Sequence, residues 1–348
     1  MNHVFEMSQP GFFDLSERYA QLSAAGDPLV KLDELIPWNK FRSTLNRAFK
    51  KVRKSNAGRP PYDYVLMFKM LVLQSLYNIS DHQVEFQVRD RLSFMRFLGI
   101  SLEDNVPDEK TLWAFREQLV QSKAIDKLFA KFDRYLSDIG YKAECGSIVD
   151  ASIVEVPRQR NSRDSNKKIK EGEIPEHWED NPNKLRQKDV DARWTKKRGE
   201  TYYGYKDHIS IDAKHKLIRS FEVTNAAMHD SHIFGVLLKG KNAGNHVWAD
   251  SAYWTDKNVL FLESKGYLSR LSKKASKGRW LPNDWKRINR RLSKIRKRVE
   301  HVFGFIENSL NGKYLRTIGL KRARWKIGMM NLVYNMCRCE QLERLGVA

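Results

Sequence analysis

Three carboxylates in this chain are placed where they could do chemistry: Asp150, Asp250 and Glu300. Asp150 follows the β-branched run Ser147-Ile-Val, and Asp250 follows His246-Val-Trp-Ala, so each ends an apolar strand. An acid there projects into the crevice at a sheet edge, where α/β proteins bind ligands. Glu300 differs in setting: it is the first acid after Asp284, on a helical run that carries Lys294, Arg296, Lys297 and Arg298. Singly, each has a plain reading. Strand-end aspartates cap turns, and an exposed Arg296–Glu300 pair is worth only about 0.3–0.5 kcal/mol. Together they form the set that phosphodiester chemistry asks for. In-line displacement develops charge on the entering and leaving oxygens, which two Mg²⁺ or Mn²⁺ ions about 3.5–4 Å apart can stabilise. Such hard cations take oxygen ligands, whereas a His/Cys set would favour zinc.

The charge balance points the same way. Lys and Arg number 63 against 42 Asp and Glu, a net +21. Residues 265–326 hold 20 basic side chains and three acids, so +17 of the excess lies around the helix that carries Glu300. That concentration implies a polyanionic partner, double-stranded DNA, held through its phosphates rather than read by sequence. Lys273, Lys274, Arg290, Arg291, Lys294, Arg296, Lys297 and Arg298 are the leading contacts, with Lys277, Arg279, Lys286 and Arg287 beside them. Trp280 and Trp285, set in the basic run, are candidates to stack on an unpaired base, while Trp248 belongs in the core.

Several classes are excluded. The most apolar stretch, 65–73, is short and contains Lys69, so no membrane span is expected. The opening residues lack a basic region followed by an apolar run, so no secretory leader is expected. Three cysteines make no disulfide framework, which fits a reducing cytoplasm and, with a DNA partner, association with a bacterial nucleoid.

Residues 1–140 read as an all-helical domain, a possible helix-turn-helix unit for recognising DNA ends or for assembly. A helix is predicted over 59–77, opened by Pro60 and Pro61, and a capping box at Ser80 starts the next. Residues 141–326 read as an α/β domain. Its strands are expected near 147–156, 202–211, 217–223, 246–250 and 267–271, and 157–200 form a charged insertion suited to a mobile loop. A continuous helix is expected over 283–310, with its apolar stripe at Leu292, Ile295, Val299, Val302, Phe303, Ile306 and Leu310. A C-terminal helix occupies 327–348 in the domain division, its pattern starting near Trp325. Asp230 reads as the cap of a helix over 231–239, and His229 as a residue that could support the metals from behind their ligands.

Three motifs in this order, Asp150-Ala-Ser, Ala249-Asp250-Ser-Ala-Tyr253 and Arg296 followed four residues on by Glu300-His-Val-Phe-Gly304, resemble the DDE transposases of bacterial insertion sequences. The nearest group by resemblance is the insertion sequence 5 family. The likeness extends through Tyr203-Gly-Tyr-Lys-Asp-His208 and Thr224-Asn-Ala-Ala-Met-His229 and takes in the helical N-terminal region. It implies an RNase H-like catalytic core, a mixed sheet flanked by helices, with a separate all-helical N-terminal domain. Asp150, Asp250 and Glu300 would be the catalytic, metal-binding triad for two Mg²⁺ or Mn²⁺ ions. The implied activity is cleavage at the ends of the element and transfer of the freed 3′-OH ends into target DNA, by a homodimer or higher synaptic assembly. The family also favours Tyr, two residues, Arg, three residues, Glu, six residues, Lys; here Ser293 and Glu307 hold the first and last of those positions. Lys297, Arg298 and Lys313 are the candidates to replace that lysine. A non-catalytic DNA-binding protein derived from such an enzyme, and a host nuclease of the same fold, are the alternatives.

Overall fold

Side-chain caps from Asp27, Asp63, Ser80 and Asp108 set where four of the N-terminal helices begin. The structure is a computed structural model and describes residues 14–49, 60–238, 245–275, 278 and 280–346. Before the first strand come α1 (Asp14–Ala24), α2 (Pro28–Leu35), α3 (Trp38–Ala48), α4 (Tyr64–Tyr77), α5 (Asp81–Asp90), α6 (Leu92–Leu98), α7 (Glu109–Gln121) and α8 (Ala124–Asp138). The start of α4 corrects the expected one. Asp63 accepts from the backbone N–H groups of Val65 and Leu66 at 2.8 and 3.1 Å, so the helix begins after the two prolines. A carboxylate satisfies two of the orphan donors of a first turn, which a proline cannot do; Arg59 lies outside the described residues. Ser80 caps α5 as expected, accepting from Gln83 N–H at 3.2 Å.

The α/β region runs β1 (Ser147–Glu155), α9 (Arg163–Glu171), α10 (Glu176–Glu179), α11 (Pro182–Arg186), β2 (Arg193–Lys197), β3 (Glu200–Asp212), β4 (Ile218–Asn225), α12 (Asp230–Leu237), β5 (His246–Ala249), α13 (Asp256–Ser264), β6 (Leu268–Leu271), α14 (Asn283–Arg296), α15 (Arg298–Asn308) and α16 (Leu320–Arg344). The sheet order is β2-β3-β1-β5-β6, with β4 also paired to β3. β1 lies antiparallel to β3 and parallel to β5, so an antiparallel half meets a parallel half at β1. That mixed sheet, flanked by helices, has the build of an RNase H-like core. Gly204 sits where β3 crosses tightly over β1: its φ is +155°, and a Cβ there would collide with the Val154 carbonyl oxygen.

Three further expectations change. The charged insertion is not a loose loop: it forms three short helices and β2, and buries Ile169, Trp178 and Asp189. Asp189 ties it to the rest of the domain, accepting from Tyr205 Oη at 2.8 Å and from Gly319 N–H at 3.2 Å. The long basic helix is also broken, at Lys297, into α14 and α15. α14 fully buries no residue and touches the core through half-buried Leu292 and Ile295, whereas α15 buries Val299, Val302 and Ile306, so the second segment is the more firmly anchored. The C-terminal helix, α16, begins earlier than Trp325. It packs on α2, α4, α7, α8 and β4, and one hydrophobic cluster runs from Leu29 through the sheet to Leu342.

Consecutive residues of β3 titrate in opposite senses. Burial pushes the Asp207 carboxyl up to about 7 and the His208 imidazole down to about 4. Asp207 accepts from Asn331 Nδ2 at 3.1 Å, while Asn331 Oδ1 is buried with no partner. Folded Asp207 binds its proton more tightly than the unfolded chain does, so its contribution is present below about pH 4 and is lost as pH rises to about 7. His208, neutral in the fold, works the other way and loses stability as pH falls below about 6.5. Asp207→Asn keeps the acceptor, adds an N–H for Asn331 Oδ1 and cannot ionise. It should stabilise the protein by about 2–4 kcal/mol at pH 8 and far less near pH 4. Thermal melts at the two pH values check this, and an equal shift at both would refute it.

Candidate active site

Strand register brings the two aspartates together across the parallel half of the sheet. Ser147 pairs with Val247 and Ile148 with Trp248, and the same register continued places Asp150 beside Asp250. Asp250 closes β5 and caps a 3-10 turn over Ser251–Tyr253, its Oδ1 accepting from Ala252 N–H at 2.8 Å. Asp150 Oδ1 accepts from Ala151 N–H at 2.9 Å, and its Oδ2 takes the Arg296 guanidinium at 2.7 Å. Burial raises the proton affinity of Asp150. Arg296 opposes that rise, and the charge of Asp250 adds to it. Two like charges so close need a cation to stay ionised together, and Arg296 at the end of α14 supplies one.

The other helix, α15, meets β1 through Glu307. Ser152 Oγ donates to Glu307 Oε1 at 2.9 Å, and Ser152 shares a strand face with Asp150 at i, i+2. The acid where the family pattern has a lysine is therefore bound to the sheet. Glu300 lies one helical turn after Arg296 and is exposed. Among the described residues, no group of three or more His, Cys, Asp or Glu side chains stands close enough to hold a metal ion. The structure thus gathers Asp150, Asp250 and Arg296, with Ser152 and Glu307 alongside, and leaves Glu300 on the surface of α15.

The cations divide into free and engaged. Lys274, Arg290, Arg291, Lys294 and Lys297 are exposed. Lys273 sits instead 3.6 Å from the Trp285 ring centre and 4.8 Å from that of Trp254. Its backbone is also held at both ends by the Asn289 side chain. Arg298 donates to the Ala213 carbonyl. Lys277 and Arg279 lie outside the described residues. Trp248 is buried, and Trp280 is 92% exposed.

The cap of α12 is His229 rather than Asp230, its Nδ1 accepting from Ser231 N–H at 3.3 Å. Asp230 in the first turn takes Lys206 Nζ at 2.8 Å, a longer-range partner that sequence spacing does not reveal. His208, buried in the core, bonds Thr224 Oγ1 at 2.9 Å.

Tyr253 was given no role by sequence. Its side chain is fully buried and its hydroxyl has no hydrogen-bond partner among the described residues. Burial, and then the charges of Asp150, Asp230 and Asp250, hold its proton on. The only sequence signal was its place three residues after Asp250. The donor set fits a hard divalent cation in its chemistry: two adjacent oxygen-only carboxylates that repel each other, with an orphaned phenol in their field.

Residues 16–118 match a family model described as a transposase domain (DUF772), and residues 141–336 match one described as a transposase DDE domain. The break between the two spans α8, just before β1. Among solved structures, a cryo-EM structure of the piggyBac transposase synaptic complex with hairpin DNA is similar at 11% identity and a TM-score of 0.44, covering 92% of this chain and 76% of that one.

Proposed function

The chain belongs to the transposase DDE domain family and is a DNA transposase, and from that premise we propose that it cuts double-stranded DNA at the ends of its own insertion sequence and joins the freed 3′-OH ends to target DNA. The observation that carries this reading is the Asp150–Asp250 pair on adjacent parallel strands, with Arg296 on Asp150. The sequence motifs favour the insertion sequence 5 group within the family.

Asp150 and Asp250 would hold divalent ions, Mg²⁺ or Mn²⁺ and two in number, with Glu300 as third ligand. Bound there, such ions would stabilise the entering and leaving oxygens and make water or a 3′-OH a better nucleophile. The chain's own side chains do the rest. The Ala252 N–H fixes one oxygen of Asp250, and the Ala151 N–H fixes one of Asp150. Arg296 balances Asp150 and stands ready to take a DNA phosphate when a cation replaces it. The Ser152–Glu307 bond holds α15 against β1 and so sets the approach of Glu300, two turns earlier on the same helix. The exposed Arg290, Arg291 and Lys294 of α14 bind the phosphate backbone.

Joining two ends calls for two copies of the site, hence a homodimer or a larger synaptic assembly. Among the described residues no helix is long and apolar enough to cross a membrane, in keeping with work on nucleoid DNA.

The test incubates purified protein with a plasmid carrying two element ends and a target plasmid. Cleaved ends and joined products are expected with Mg²⁺ or Mn²⁺, and neither after chelation. Products that form equally well in excess EDTA would defeat the metal-dependent reading, and cutting without joining would mark a nuclease.

A further inference from the structure

Between the N-terminal helices and the catalytic region lies a cavity of about 890 Å³, within the size range of small-molecule sites. Helices α4, α5 and α7 line one side; the 311–318 segment and the start of α16 line the other. Two hydroxyls in its wall are unsatisfied. Ser75 is 2% exposed and its Oγ has no hydrogen-bond partner among the described residues, and Thr317 Oγ1 is buried in the same condition. Each unpaired buried polar group costs about 1–3 kcal/mol, and both oxygens are closed to solvent, so they could pair with a guest only if the wall shifts around it.

The charges give the guest its sign. Arg116 is answered by Asp81 at 2.8 Å, and Arg322 by Glu117 with two bonds at 2.9 Å. Lys326 and Arg316 line the same cavity and make no hydrogen bond or ion pair with the described residues. Burial, and then nearby Arg116, push the Lys326 ammonium down to about 8 against the weaker pull of Asp81, which Arg116 already engages, so an anion directly beside it would restore lost solvation. Trp113 and Tyr314, 51% and 47% exposed, present aromatic surface to the same space. Base–aromatic stacking contributes about 1–3 kcal/mol per base.

We propose that this seam is a nucleotide site. Lys326 and Arg316 hold the phosphate, and the base stacks on Trp113 or Tyr314. It is separate from the acidic pair. The 311–318 segment joins β1 at Glu155, whose N–H and C=O bond Lys313 and Leu315 at 2.9 and 2.8 Å. At about 3.3 Å per residue that point lies roughly 17 Å along the strand from Asp150. The guest is a free nucleotide or the terminal nucleotide of a DNA strand, and the inference does not depend on the reaction at Asp150.

The test titrates the full chain calorimetrically with ATP, inorganic pyrophosphate and a 5′-phosphorylated trinucleotide. ATP or the trinucleotide should bind, and Lys326→Met should weaken that binding about tenfold, as loss of a charged hydrogen bond does. Trp113→Ala should weaken the base-bearing ligands and leave pyrophosphate unchanged. ATP binding identifies a free nucleotide, and binding of the trinucleotide alone identifies a strand end. Arg316→Ala, at an exposed position, replaces Lys326→Met if that variant does not fold. Asp250→Asn should bind these ligands as the parent does, which separates failure of this site from failure of catalysis. No binding of either base-bearing ligand, equal affinity for pyrophosphate and ATP, or binding unchanged in the Lys326 and Arg316 variants overturns the proposal.

Discussion

Asp250→Asn is expected to lower metal-dependent strand cleavage by about 10³-fold, the scale on which losing one preorganised charge-stabilising group acts, while DNA is retained at the parental level. The substitution isolates charge from structure. Asp250 Oδ1 caps the Ser251–Tyr253 turn through Ala252 N–H, and the asparagine side-chain oxygen can accept that same bond. Alanine cannot, and loss of a cap costs about 0.5–2 kcal/mol by itself. Asp250→Ala should therefore be equally inactive but less stable, and comparison of the two separates the effects. Retention should survive because Asp250 contributes negative charge and no phosphate contact. Asp250 also raises the proton affinity of Asp150, so its neutralisation removes one of the two effects that work against Arg296 there and leaves burial as the other. Gel-resolved cleavage and filter retention at one fixed salt concentration measure both quantities. Cleavage within about tenfold of the parent would remove Asp250 from the chemistry.

How far the site was legible depends on the distance its interactions span. Asp250 could be picked out because an acid directly after an apolar strand breaks a local pattern; Asp150, expected at a strand end, lies inside β1 and stood out only as an acid within a β-branched run. Their adjacency could not, since it rests on the parallel register of β1 and β5 across about a hundred residues. The Arg296–Asp150 pair, the Ser152–Glu307 bond and the Lys206–Asp230 pair are invisible for the same reason. Helix starts with a local capping motif, such as Ser80, were readable. The break at Lys297 was not, because the apolar stripe continues through it while full burial begins only at Val299. The insertion misled by composition: a charged segment reads as loose unless one knows that Asp189 is buried beneath Tyr205. Tyr253 went unassigned because an orphaned hydroxyl is a property of packing.

Raising salt from about 50 to 200 mM should weaken DNA binding by about 10³-fold, rather than by the larger factor that the +17 of residues 265–326 suggests. The structure lowers the count because many of those cations are engaged. Arg296 holds Asp150, Arg298 the Ala213 carbonyl, Arg287 Asp284, Arg322 Glu117, and Arg324 both Asp126 and Glu222. Lys273 is set against Trp254 and Trp285. Among the described residues, the exposed cations on or beside α14 that make no hydrogen bond or ion pair are Lys274, Lys286, Arg290, Arg291, Lys294 and Lys297, with Lys286 6.0 Å from the ring centre of the exposed Trp280. Lys286, Arg290 and Lys294 recur every four residues, so they share one face of a helix that fully buries none of its residues. Six phosphate contacts at about 0.9 counterion each give a log–log slope near −5, which over a fourfold change in salt is about 10³. Replacing Arg290, Arg291 and Lys294 together by Gln should flatten that slope by about 2.7. Arg298→Gln should leave it nearly unchanged, because that guanidinium is already bound to Ala213. Fluorescence-anisotropy titrations across salt read the slope directly. A near-zero slope, or one moved as much by Arg298 as by the α14 cations, would mean that the DNA lies on another face of the protein.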